Sequence, residues 1–267
     1  MAISKVAIVG AGVMGEAMIH ALIRSGLASS EIIIREKRID RVEELVKNYG
    51  VKSGSLESAQ AIILAVKPQD FEETLEEVLP ELEEEVLLIS ILAGIQSSRI
   101  EMILGEKVRV VRVMSNSPLL VGAGMSAISV GKSAKLEDVS WVENLFAASG
   151  ATLVVNEELM DAVTATSGSG PAYFFGFVEA MIEGAVQLGL DEGDAKILAT
   201  QTLIGAAKMV SDSGKNAKTL RENVTSPKGT TAAALSVFSS HNWHEIVYKA
   251  MTAAKEKAIE LSQLRHD

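Results

Sequence analysis

Three glycines near the start of the chain are spaced for binding a phosphate. Gly10-Ala11-Gly12-Val13-Met14-Gly15 follows a short apolar run, Val6-Ala7-Ile8-Val9, and precedes an amphipathic stretch through Met18, Leu22 and Ile23 that stops near Gly26. In that setting the first glycine allows a tight turn, the second admits a pyrophosphate against bare backbone, and the third lets helix and strand pack closely. Free N–H groups near Val13 and Met14, at the positive end of the helix, would hold the phosphates of a dinucleotide. An acidic residue is expected about 20 residues further on where the adenosine ribose keeps a free 2′-hydroxyl. Glu36 stands there. Arg35, Lys37 and Arg38 surround it, and three cations on one short loop suit a 2′-phosphate. The balance favours NADPH and leaves NADH open.

A second segment, Asn223-Val224-Thr225-Ser226-Pro227-Lys228-Gly229-Thr230-Thr231, leads into the alanine-rich Ala232 to Leu235. Ser226 is a good N-cap and Pro227 a good first helical residue. A helix start with exposed amides, several hydroxyls and a glycine that lets a ligand approach would suit a small carboxylate; the same spacing also describes a helix that is merely well capped. Both readings stand at this point. Ala165 to Tyr173, rich in Gly and Ser, has a similar character. It is either a ligand wall or the tight entry to a long helix opening at Pro171.

Other chemistries are excluded by residue type. The chain has no cysteine, so disulfides, thiolate nucleophiles and Cys-ligated zinc are ruled out. The histidines are His20, His241, His244 and His266; they form no HExxH or comparable ligand set, and no metal is expected. A formal net charge of -10 argues against nucleic acid as the main partner.

Elements that could position these residues follow from periodicity. Short apolar runs at Val6–Val9, Ile32–Ile34, Ala61–Val66, Leu87–Leu92 and Val108–Val113 are separated by helical patterns, including a charged helix over Val42–Tyr49. Two further strands are expected at Met125–Val130 and Thr152–Val155. Continuous β-branched runs signify strands buried on both faces, hence a mostly parallel sheet. The fold class is α/β, with a Rossmann domain over residues 1–156. The strand pattern then disappears. Helical spacing over Ala172–Leu188, Asp194–Val210 and His244–Leu264 makes residues 157–267 an all-α domain. The run Glu81-Leu82-Glu83-Glu84-Glu85 reads as a solvated loop or helix face without functional weight.

The long helices carry many small residues, as in Gly205-Ala206-Ala207, which suit close helix approach but make a poor free-standing bundle. They are expected to complete their core against a second copy of the chain. With 48% hydrophobic and 22% charged residues the balance is that of a globular protein. The sequence shows neither a signal-peptide layout nor an apolar run long enough to span a bilayer, so a cytoplasmic location and no membrane partner are expected.

At its two ligand-like segments the chain resembles the pyrroline-5-carboxylate reductase family, which catalyses the last step of proline biosynthesis. The similarity runs over nearly the whole length and in order: Gly10 to Gly15; Ala65-Val66-Lys67-Pro68; Ala93-Gly94; Val121 to Met125; Asp161 to Thr164; Ser167 to Tyr173; Gln201-Thr202; Gly205 to Met209; and, most specifically, Val224-Thr225-Ser226-Pro227 with Gly229-Thr230-Thr231. The chain departs from that pattern in three places. It reads Met114-Ser115-Asn116-Ser117-Pro118 for Met-Pro-Asn-Thr-Pro, Lys228 for the first of two glycines, and Ala165 for a glycine.

The resemblance implies hydride transfer from NAD(P)H to the C=N carbon of a five-membered cyclic imine, giving L-proline. It implies cofactor contacts at Gly10, Gly12, Val13, Met14, Gly15, Ala65, Val66, Lys67, Pro68, Ala93, Gly94 and Asn116, beside the contacts expected of Arg35, Lys37 and Arg38 from their charge. Substrate contacts are implied at Asn223, Ser226, Gly229, Thr230 and Thr231, with the Thr231 hydroxyl as catalytic donor to the imine nitrogen. The family forms intertwined dimers, so a homodimer is expected, with a decamer as the larger assembly. Two other readings compete with this one. A β-hydroxyacid or 6-phosphogluconate type dehydrogenase would place a catalytic Lys and Asn on the first long helix, and Ala172–Leu188 contains neither. A non-catalytic NADPH-binding regulator would fit the unusual Lys228 and Ser115.

Overall fold

A computed structural model describes residues 3–105 and 108–263. His266 and Leu264, named above, lie outside the described residues. Eight strands form one sheet: β1 (Val6–Val9), β2 (Ile32–Arg35), β3 (Lys52–Ser53), β4 (Ala61–Leu64), β5 (Leu87–Ser90), β6 (Arg109–Met114), β7 (Gly124–Val130) and β8 (Gly150–Val154). Their order is β3-β2-β1-β4-β5-β6-β7-β8. All neighbours are parallel except β6 and β7, which pair antiparallel through Val111 opposite Val130. The two-residue β3 carries no apolar run, which is why the sequence does not announce it.

Alternation along the central strands divides the core into two layers. Val6 and Ile8 point to the same side as Ile32, Ile34, Ile63 and Ile89; there they meet Met18 and Leu22 of α1 (Val13–Arg24). Ala7, Val9, Ile62, Leu64 and Leu88 point the other way. They meet Phe71, Leu75 and Val78 of α3 (Phe71–Val78), and Ile100 of α4 (Ser97–Leu104) shares that layer. α2 (Ile39–Tyr49), between α1 and α3 along the chain, adds Leu45 to the first layer, and α5 (Leu136–Ala147) adds Val142 and Phe146. Each such fully buried side chain contributes about 1.5–3 kcal/mol of hydrophobic stabilisation. Strands closed on both faces in this way can be apolar at every position, as the sequence suggested.

Past β8 the chain is helical: α6 (Met160–Val163), a π-helical turn at Thr164–Gly168, α7 (Gly170–Gln187), α8 (Glu192–Asp212), α9 (Ala217–Asn223), α10 (Thr230–Ser240) and α11 (Trp243–Gln263). The expected loop at 165–173 is instead this π turn running into α7. Its hydroxyls bond back to carbonyls four residues earlier, Thr164 to Met160 and Thr166 to Ala162, and the Ser169 N–H reaches the Thr164 carbonyl five residues back. Two compact units result. One comprises residues 1–169 with 253–267, and the other Gly170–Thr252. Within the second, α7 and α8 pack along one another, and Phe238 lies 6.3 Å from Phe177 and 6.1 Å from Trp243, ring centre to ring centre. Among the described residues no helix is long and apolar enough to cross a membrane.

Candidate active site

The sheet order reverses direction between β1 and β4, and at such a point a crevice opens at the carboxyl ends of the strands. A cleft of about 650 Å³ lies there. Gly10, Gly12, Ala65, Val66 and Lys67 line it, and so do Arg35, Lys37 and Arg38. Of the other residues expected at a cofactor, Val13 and Met14 open α1, and Pro68 opens the short turn Pro68–Asp70 before α3. Ala93 and Gly94 follow β5 and are not in the cleft lining.

The three glycines have different reasons to be glycine. Gly10 turns the chain at φ +87°, and a Cβ on it would lie 2.8 Å from the Val66 backbone nitrogen. At Gly15 a Cβ would collide with the Gly10 carbonyl. Both are demanded by the fold itself. Gly12 is not: a Cβ there meets nothing within 4 Å. It is also the N-cap of α1 and offers no side-chain bond, so a 12-residue helix begins uncapped at a residue that lines the cleft. Those features fit a dinucleotide pyrophosphate, which needs bare backbone and unpaired N–H groups in one place.

The loop between Gly10 and Gly12 is clamped from both sides. The Ala11 N–H donates to Glu36 at 3.0 Å, and the Ala11 carbonyl accepts from Arg41 Nε at 3.1 Å. Arg41 in turn holds Glu16 at 2.5 Å and Glu44 at 2.6 Å. A hydrogen bond from the Tyr49 hydroxyl, reinforced by Arg41, keeps the Glu16 carboxyl below the usual range against the opposing effect of burial. Sequence reasoning missed Glu16, Arg41 and Tyr49, since nothing in their spacing refers to Ala11.

Three of the cations at the cleft, Arg35, Lys37 and Arg38, are each engaged by a carboxylate. Arg35 Nη2 lies 2.6 Å from Glu81, Lys37 Nζ lies 2.9 Å from Glu77 and 3.4 Å from Glu73, and Arg38 Nε lies 3.2 Å from Glu36. Glu81 also accepts from the Leu56 N–H and the Ser55 hydroxyl. The acidic run that begins at Glu81 thus supplies the partner of a cleft-lining arginine, which the reading of a purely solvated stretch did not foresee.

Asn116 is nearly buried, and its amide is used within the fold. Nδ2 donates to the Ser167 carbonyl at 3.0 Å, and Oδ1 accepts the Met125 N–H at 2.9 Å. It ties the end of β6 to β7 and to the π turn, where Gly168 comes so close to Met114 that a Cβ would strike the Met114 methyl.

The second segment differs from the expected helix start. Ser226 is not the N-cap and Pro227 is not the first helical residue: α10 begins at Thr230 with Gly229 as its cap. The Gly229 N–H bonds to the Ser226 carbonyl at 3.0 Å, closing a turn over Ser226-Pro227-Lys228-Gly229. Lys228 sits at φ +60°, a left-handed position that no helix can include. Proline second and a positive φ third make this a type II turn. At Gly229 a Cβ would crowd Ser226, so the turn's own packing also calls for glycine there. The cap makes no side-chain bond, leaving the amides of Thr230, Thr231 and Ala232 ahead of the first helical bond, Ala233 N–H to Gly229 carbonyl. Thr230, Ser226 and Asn223 are exposed and Thr231 half-buried.

Comparison with known proteins decides the kinship. The chain is 38% identical over 265 residues to the pyrroline-5-carboxylate reductase of Haemophilus influenzae, covering 97% of this chain and 98% of that one. The chain belongs to the pyrroline-5-carboxylate reductase family. Residues 157–261 match the family model described as pyrroline-5-carboxylate reductase dimerisation. Residues 5–94 match one described as NADP oxidoreductase, coenzyme F420-dependent. Among solved structures, a pyrroline-5-carboxylate reductase from Coxiella burnetii superposes with a TM-score of 0.89 at 34% identity, covering 98% of this chain and all of that one. The Plasmodium falciparum pyrroline carboxylate reductase with NADP bound gives 0.88 at 30% identity, covering 97% and 98%.

Membership in the pyrroline-5-carboxylate reductase family sharpens one feature of the turn. Glycine, the residue noted above as usual at the Lys228 position, is what a left-handed third turn residue favours. Here lysine adopts that conformation in its place. Among the described residues no cluster of His, Asp and Glu is arranged to hold a metal ion.

Proposed function

We propose that this chain reduces 1-pyrroline-5-carboxylate to L-proline, with NADPH as the preferred reductant held in the cleft between β1 and β4. The observation that carries the reading is the bare start of α10, where uncapped amides and the hydroxyls of Thr230 and Thr231 gather in a member of this family. NADPH, when bound, supplies the hydride. The chain's own groups do the rest. Gly12 leaves room for the pyrophosphate, and the amides of Val13 and Met14 hold it. Lys37 and Arg38, with Arg35, border the 2′-phosphate, and Ala65 to Pro68, Ala93 and Gly94 line the path of the dinucleotide.

At the other segment, Ser226, Gly229 and Thr230 hold the substrate carboxylate at the positive end of α10, with Asn223 beside them. The Thr231 hydroxyl donates to the imine nitrogen, which makes the C=N carbon more electrophilic. A threonine hydroxyl is a poor acid, so the proton that completes the amine comes from water. Asn116 acts by positioning, through its bonds to Ser167 and Met125. The active assembly is a homodimer in the cytoplasm, built further into a decamer.

Thr231→Val tests the assignment, because it keeps shape and removes only the hydroxyl. The expected result is a fall in kcat of roughly 10- to 1000-fold, the effect of losing one positioned donor, with a smaller change in substrate KM and none in NADPH affinity. Turnover at the wild-type rate would remove Thr231 from the mechanism.

A further inference from the structure

We propose that Glu36 is the specificity-determining residue of the cofactor site, holding down the preference for NADPH so that the chain uses NADH alongside it. The proposal rests on the cofactor reading above. Its starting point is an imbalance the sequence hides. Arg35, Lys37 and Arg38 look like a cationic pocket for a 2′-phosphate when read along the chain, but in space each already has a carboxylate partner: Glu81, Glu73 with Glu77, and Glu36. The charged lining of the cleft is Arg35, Lys37, Arg38 and Lys67 against Glu36, Asp70, Glu73 and Glu77, which cancels. Glu81, outside the lining, adds one more negative charge on Arg35.

A 2′-phosphate brings about −1.5 to −2 charges. To be held by Lys37 or Arg38 it must displace a carboxylate and remain close to others. A ribose with two free hydroxyls faces no such competition and needs only an acceptor. Glu36 is that acceptor. Its side chain is only 11% exposed and fixed on three sides, by the Ala11 N–H at 3.0 Å, the Arg38 N–H at 3.1 Å and Arg38 Nε at 3.2 Å. Burial alone would favour its neutral form. The bonds from Arg38 and Ala11 outweigh that and hold the carboxyl below its ordinary range, so it is anionic at neutral pH. The bond to Ala11 also places this charge directly against the glycine loop that receives the dinucleotide.

Glu36→Gln separates charge from structure. Glutamine keeps an oxygen to accept the Ala11 N–H, removes the negative charge, and puts an NH2 that cannot accept where Arg38 now bonds, so the charge and its hold on Arg38 go while the tie to the loop stays. Calorimetric titration of the full-length protein with NADH and with NADPH then reads affinity without turnover. In the wild type both cofactors bind. In Glu36→Gln the ratio of affinities should shift toward NADPH by about 10-fold or more, equivalent to about 1.4 kcal/mol, through tighter NADPH and weaker NADH together. An unchanged ratio, or a shift toward NADH, would overturn the proposal and leave Glu36 as a tie for the loop.

The double variant Glu73→Gln, Glu77→Gln releases Lys37 by a different route. It should tighten NADPH several-fold more than NADH, and an equal change in both would also count against the proposal. If the wild type binds both cofactors but leaves 1-pyrroline-5-carboxylate unreduced, the proposed reaction fails while the role of Glu36 stands. If it binds neither cofactor, the cofactor reading fails and this inference falls with it.

Discussion

Gly12 and Gly15 look alike in the motif and are held by different forces, so the same substitution should do different things to them. A Cβ at Gly12 enters open space, whereas one at Gly15 strikes the Gly10 carbonyl. Gly12→Val should therefore keep its melting temperature within a few degrees and lose NADPH binding, while Gly15→Val should lose stability first. Thermal melts paired with cofactor titration distinguish the two. Unimpaired NADPH affinity in Gly12→Val would mean the loop is structural only. At Lys228 the expectation concerns strain. An L-residue in the left-handed region costs about 1–2 kcal/mol, partly offset by the extra freedom glycine has in the unfolded chain. Lys228→Gly should then stabilise the protein by about 0.5–1 kcal/mol, read from urea midpoints at one fixed protein concentration. A loss of stability would show that the lysine side chain makes a contact of its own.

Among the elements, the junction after β8 is held by a buried ion pair. Arg112 of β6 is almost wholly buried and donates to Glu157 at 2.7 Å, with Asp161 at 3.8 Å. Glu157 also accepts from the N–H and hydroxyl of Ser97 at the start of α4. Burial raises its pKa, but Arg112, Ser129 and Ser97 more than compensate, and the carboxyl sits below its usual range. A lowered folded pKa means this stabilisation is full above the unfolded value, about 4.3, and is lost as pH falls through the folded one. Glu157→Gln should cost about 2–3 kcal/mol near neutrality by weakening a buried pair. Its deficit against the wild type should shrink as the solution becomes acid. A deficit that stayed constant down to about pH 3 would contradict this account.

Central strands such as β1 and β4 are legible because burial on both faces makes every residue apolar, a signal that survives without knowing any contact. The partners of Arg35 and Lys37 were not, because Glu73, Glu77 and Glu81 reach them from α3 and the turn after it, far along the chain. Ser226-Pro227 misled for another reason. The pair suits both a helix start and a type II turn, and the positive φ of Lys228 decides for the turn.

At the scale of the whole molecule, the second unit leaves its apolar side chains uncovered. Phe174, Phe175 and Phe177 are 59%, 63% and 50% exposed, and Ile197, Leu198 and Val237 are comparably open. A monomeric protein rarely shows so large an apolar surface. Together with the dimerisation family that matches residues 157–261, this predicts at least a dimeric mass in sedimentation at micromolar concentration. A charged substitution such as Phe175→Glu should lower it, and a wild-type monomer would refute the pairing. The central claim is tested most directly by mixing the purified protein with NADPH and 1-pyrroline-5-carboxylate while following nicotinamide absorbance and measuring proline. The account predicts that absorbance falls only when both are present, with one proline formed for each NADPH consumed. Tight NADPH binding with no consumption on adding the imine would contradict it.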